Sequence, residues 1–187
     1  RVIASTQVHT PIKFSYSGKV FNYNEEMRGL SNEHTQAGVE IIGFPVHQAL
    51  EEAVISAKEA LDVAGVRNYK FEFSHAQLLQ LIFEELNLPA VKEAELATYI
   101  RDKSITGLKE FTKENPSQYD KVLEQLPSLF GETTAVLTEA RQLTDNESFL
   151  TALDSLEVLT SRLADNLPET TLDLAQLPAV PYYTGIM

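Results

Sequence analysis

Glycine all but disappears from the middle of this chain. Only Gly107 and Gly131, of eight glycines, fall between residues 90 and 165. Leucines recur there at three- and four-residue steps through "YDKVLEQLPSLF", "TAVLTEARQL" and "FLTALDSLEVLTSRLADN". That spacing lines one face of a helix and cannot alternate across a strand. The stretch predicts four or five short helices. Strand character stands on both sides of it, so the spacing predicts an α+β domain whose sheet is interrupted by a helical insertion at about 90–165.

The flanking signals are local. "IKFSYSGKVFN", residues 12–22, is β-branched and aromatic around Ser17-Gly18 and predicts strand, turn, strand. Residues 33–43 predict a strand ending at Gly43. Pro45 opens a helix in its first turn, where a missing N–H costs nothing, and Gly65 is placed to end it. "NYKFEFS" puts Tyr69, Phe71 and Phe73 on one face of a strand. Ser74 is the expected N-cap of a helix through "AQLLQLIFEELN", which stops near Asn87-Leu88-Pro89. "TTLDLAQL" and "YYTGIM" return to strand character.

Composition narrows the function. The 187 residues are 43% hydrophobic and 22% charged, as in an ordinary soluble globular protein. No apolar run approaches the length that spans a bilayer, and the first residues lack a signal-peptide layout. They also lack an initiator Met, and the chain stops in a strand-like stretch, so residues 1–187 read as a fragment of one longer domain. Absence of cysteine removes disulfides and thiolate chemistry and fits a cytoplasmic location. A formal charge of −12, with 15 basic against 27 acidic residues, argues against nucleic-acid or membrane-surface binding. A protein or a small molecule is the expected partner.

Few residues suggest a site. Gln36 and Glu40, four apart on one strand, share a face, and Gly38 between them leaves room for a ligand or a backbone. An amide and a carboxylate facing one cavity suit an ammonium or an imidazole N–H. The same spacing equally fits the solvated face of a half-exposed strand. Tyr182 and Tyr183 can place one hydroxyl in a pocket while the other ring packs, or simply be strand formers. None of His9, His34, His47 and His75 is paired at metal-ligand spacing, so no metal or cofactor is expected. His75, between a strand and a helix, is a candidate for a polar contact. Neither phosphate-binding glycine motifs nor a nucleophile elbow occurs.

Two segments together carry a resemblance. "IKFSYSGKVFNYNEEMRGLSNEHTQAGVEIIG" resembles motif 2 of class II histidyl-tRNA synthetases, and "QLPAVPYYTGIM" resembles the start of their histidine-specific R-G-x-x-Y-Y motif. The order of elements between them is similar as well. The resemblance implies a class II synthetase-like antiparallel sheet flanked by helices. It also places departures. The motif 2 arginine that binds substrate phosphates falls on Asn22, the glutamate two residues on falls on Asn24, and basic loop positions fall on Leu30 and Asn32. The arginine of the histidine motif falls on Pro178 and its glycine on Ala179. Neither asparagine nor proline replaces a bidentate, permanently charged ligand.

The retained positions are Gln36, Glu40, Tyr182 and Tyr183, the amino-acid end. That pattern resembles the ATP phosphoribosyltransferase regulatory subunits, catalytically silent paralogues of the synthetase. The resemblance implies no catalytic residue and no cofactor. It implies a short-form catalytic subunit as partner, histidine as effector, a homodimer within a hetero-oligomer, and feedback control of the first step of histidine biosynthesis. The alternatives are a working histidyl-tRNA synthetase fragment, or another synthetase-like paralogue serving as an interaction module.

Overall fold

The computed structural model describes residues 8–21, 31–167, 169–179 and 182–187. The chain forms two compact units, Arg1–Arg67 and Asn68–Met187.

The first unit is a hairpin and one helix. Strand β1 (Ile12–Phe21) pairs antiparallel with β2 (Glu33–Ile42) through ten residue pairs, from Ile12↔Ile42 to Phe21↔Glu33. The expected turn at Ser17-Gly18 is absent: both residues continue the ladder, opposite Ala37 and Gln36. Ten cross-strand pairs outweigh the weak local turn preference of Ser-Gly, and a strand tolerates one glycine at modest cost. Strand β2 ends where expected, at Gly43, whose φ of 79° is left-handed.

Helix α1 (Val46–Val63) follows with Pro45 as its N-cap rather than its first residue. It closes in a Schellman motif. Val66 N–H donates to the Leu61 carbonyl and Gly65 N–H to that of Asp62, with Gly65 at φ 76°. The small side chains Ala53, Ala57 and Ala60 face Ser15, Ser17, Ala37 and Val39 of the hairpin. Lys13 pairs with Glu52 at 2.6 Å alongside, half exposed and worth little by itself. No described residue of this unit is fully buried, since two strands and one helix cannot enclose a core.

The second unit holds the core. Its elements are β3 (Phe71–Phe73), α2 (Ala76–Leu86), α3 (Ala90–Arg101), α4 (Ile105–Glu114), α5 (Asp120–Gln125), a 3-10 turn (Leu126–Ser128), β4 (Phe130–Glu132), α6 (Thr133–Arg141), α7 (Glu147–Leu163) and β5 (Thr170–Asp173). The sheet order is β3-β5-β4, with β3 parallel and β4 antiparallel to β5. Sequence reading gave no sign of β4, a three-residue strand within the leucine-rich stretch.

Helix α7 buries Phe149, Ala152, Leu153, Leu156, Leu159 and Leu163, one stripe at helical spacing. Tyr119, buried against Phe149 with ring centroids 6.0 Å apart, has its phenol pKa raised, first by burial and then by Glu85. Side chains cap four of these helices, three of them through oxygen. Ser104 Oγ accepts from Gly107 N–H, Asn146 Oδ1 from Phe149 N–H, and the Glu132 carboxylate from Thr134 and Ala135. Those two backbone donors hold the Glu132 carboxyl below its usual range.

The cap of α2 is His75, not Ser74. The Ser74 N–H and carbonyl are both taken by Met187, at 3.0 and 2.9 Å. His75 is therefore the first residue whose carbonyl can accept a helical bond, and it does so from Leu78. Its Nδ1 accepts from Gln77 N–H at 3.2 Å. Burial pushes its pKa below the ordinary 6.5, and a proton on Nδ1 would remove the cap acceptor. The unfolded chain thus binds this proton more readily than the folded one, so stability falls as pH drops below about 6.5 and levels off below the folded value. His75→Asn keeps a cap acceptor without titrating. Urea midpoints at pH 7.5 and 5.5 should differ less in this variant than in the wild type; equal differences would contradict the assignment.

Candidate functional site

The ladder sorts the hairpin residues by face. Gln36, Gly38 and Glu40 of β2 stand opposite Gly18, Tyr16 and Phe14 of β1, all on one side. Lys13, Ser15, Ser17, Ala37 and Val39 alternate to the other side, where α1 packs. The Gln36–Glu40 face is thus the one α1 leaves open. Gln36 and Glu40 are both exposed.

The space above Gly38 is not free for a ligand. The Tyr16 ring lies over it, so that a Cβ at Gly38 would meet the ring's terminal carbon and hydroxyl at 2.6 Å. This aromatic-over-glycine pair was missed in the sequence because it appears only once the register is known. It brings the Tyr16 hydroxyl within 3.0 Å of Gln36 Nε2, which donates to it. Gln36 keeps its amide oxygen and Tyr16 its hydroxyl proton for a ligand. Glu40 has no hydrogen-bond or ion-pair partner among the described residues. The face is a shallow polar floor with one carboxylate, two neutral polar groups and a ring edge. It suits an ammonium or an imidazole N–H.

Tyr182 and Tyr183 belong to the second unit. Their rings meet edge to face, centroids 5.3 Å apart at 90°. Both are exposed, Tyr182 at 74% and Tyr183 at 47%. Gln80 Nε2 donates to the Tyr183 carbonyl at 2.7 Å, and Ala76 N–H to that of Gly185 at 2.9 Å. These bonds and the Met187–Ser74 pair tie the C-terminal segment to the start of α2. Pro178 is half-buried beside Leu79 and Phe83 of α2, an apolar setting, and Ala179 is exposed. Asn22, Asn24 and Leu30 lie outside the described residues, and Asn32 is exposed at the start of β2. No group of three or more His, Asp and Glu is arranged to hold a metal among the described residues.

The fold is that of the class II aminoacyl-tRNA synthetases, α+β. A crystal structure of histidyl-tRNA synthetase from Nostoc superimposes over 98% of this chain and 45% of its own, with a TM-score of 0.71 at 18% identity. The chain belongs to the histidyl-tRNA synthetase family, whose model matches residues 1–187. Among its relatives is an ATP phosphoribosyltransferase regulatory subunit from Streptococcus gordonii, 56% identical over 186 residues, covering all of this chain and 56% of that protein. A crystal structure described as an ATP phosphoribosyltransferase regulatory subunit/histidyl-tRNA synthetase from Bacillus halodurans is 29% identical, with a TM-score of 0.76 over 99% of this chain and 49% of the other. The chain spans about half the length of the curated relatives it matches.

The Tyr16–Gly38 contact can be tested alone. Gly38→Ala forces the Tyr16 ring outward and should cost about 1 kcal/mol, the low end for overpacking because the ring is at the surface. In a Tyr16→Ala background the same change should cost nothing, since alanine suits a strand better than glycine. A double-mutant cycle by chemical denaturation measures the difference. Additive effects would mean that the ring does not occupy this place.

Proposed function

We propose that this chain is part of a regulatory subunit of ATP phosphoribosyltransferase and has no adenylation chemistry of its own. Identity of 56% along the whole chain with the Streptococcus gordonii protein of that name carries the reading. The residues agree with it. Asn22 and Pro178 stand where the synthetases it resembles place arginines on substrate phosphates. Removing one preorganised donor from a developing charge raises a barrier by about 3 to 4 kcal/mol, and groups that act together fail together. The partner is then a short-form catalytic subunit, met as a homodimer within a hetero-oligomer in the cytoplasm.

In this reading the amino-acid end persists as a histidine site. Glu40 takes the ligand's ammonium or imidazole N–H, and Gln36 donates and accepts. A ligand that binds one state of the assembly better than another shifts the equilibrium toward it. That differential affinity is the physical content of feedback control here.

Calorimetric titration of histidine into the complete complex tests the site. Glu40→Ala should weaken binding at least tenfold, about 1.4 kcal/mol, while the subunits still assemble. Glu40 is exposed, so its loss leaves no buried group unpaired. Equal affinity in the two complexes would place histidine elsewhere.

A further inference from the structure

A groove of about 350 Å³ opens in the second unit between α2, α3 and residues 177–178. Its lining is mainly apolar, with Leu79, Phe83, Ala97, Leu177 and Pro178, and includes the polar Gln80, whose Nε2 is engaged by the Tyr183 carbonyl. Its rim carries Glu84, Glu93 and Arg101. None of these three has an ion-pair or hydrogen-bond partner among the described residues. Neighbouring charge is treated differently, since Lys92, next to Glu93, is held by both Glu95 and Glu114.

The charges are sorted along the groove. Residues 93, 97 and 101 repeat every four residues on one face of α3. Eight residues separate Glu93 from Arg101, about 12 Å between Cα atoms. Only residues 87–89 join α2 to α3, so Glu84, near the end of α2, stands at the same end as Glu93. Arg101 marks the other end. Helix dipoles favour an acid in the first turn of α3 and a base in its last. They do not require those side chains to line a cavity with an apolar floor.

We propose that this groove binds the carboxy-terminal end of a peptide chain from a partner protein. The terminal carboxylate sits on the Arg101 guanidinium, which presents a bidentate donor pair. Two apolar side chains lie on the floor, and a basic residue before them faces Glu84 and Glu93. Three extended residues span about 10 Å, comparable with the separation of about 12 Å between the Cα atoms of Glu93 and Arg101. A free α-amino acid cannot bridge them, because its charged groups are one carbon apart. A phosphate chain is disfavoured by the two carboxylates. The proposal shares only Pro178 with the proposed function, as an apolar lining residue, and its test uses no histidine, so the two can fail separately.

Titration of the full-length protein with three probe tripeptides tests this by calorimetry: Lys-Leu-Leu as the free acid, the same peptide as its C-terminal amide, and Glu-Leu-Leu as the free acid. The first should bind at least tenfold more tightly than either of the others. Arg101→Glu should abolish the preference for free acid over amide, and Arg101→Lys should keep part of it. A combined Glu84→Lys and Glu93→Lys variant should prefer Glu-Leu-Leu. All three sites are exposed, and circular dichroism verifies that the variants fold. Absence of binding to the wild type, equal binding of acid and amide, or a preference that survives Arg101→Glu would overturn the proposal.

Discussion

The ten-pair antiparallel ladder of β1 and β2 decides everything that the first unit can present. Side chains in a strand alternate with period two, so a slip of one residue would turn Gln36 and Glu40 toward α1 and Val39 outward. Register is held by features at one end and in the middle. Gly43 turns the chain at a left-handed φ, in a place where a Cβ would meet Thr10 Cβ at 2.9 Å. Tyr16 over Gly38 locks the middle, because a ring fits only where the opposite residue lacks a side chain. With this register the polar face is open and the small-residue face takes the helix.

The second unit has a different logic. Its leucine stripes bury one another, and the three-stranded sheet is short. Lys103 joins the helical part to this sheet. It pairs with the nearly buried Asp173 of β5 at 2.8 Å and lies 4.5 Å from the centroid of the Phe130 ring. Asp173 also accepts from Ala175 N–H, so its carboxylate is satisfied on both oxygens. In the same unit Pro178 is half-buried beside the apolar side chains of Leu79 and Phe83. The environment of Pro178 thus matches the residue that this chain carries.

Much of this was legible in advance where local chemistry decides. Gly65 and Asn87 end their helices in left-handed conformations, and leucine spacing marks the helices between 90 and 163. Readings failed where long-range pairing overrides local preference. Ser17-Gly18 suggests a turn by itself, yet lies mid-ladder. Ser74 is a better cap than histidine by propensity, but its backbone is claimed by Met187, over a hundred residues away. Strand β4 is three residues long and owes its existence to β5. At the candidate site, the shared face of Gln36 and Glu40 follows from period two. The Tyr16 hydroxyl beside Gln36 does not, because it needs the register.

In the proposed reading, this relative of the histidyl-tRNA synthetases keeps an amino-acid floor and lacks the cations for phosphate chemistry. Histidine-dependent exchange of pyrophosphate into ATP, measured on the purified full-length protein, tests it most directly. Exchange should not rise above the level seen without histidine. Robust exchange that depends on histidine would contradict the account, since it requires a positive charge where Asn22 and Pro178 supply none.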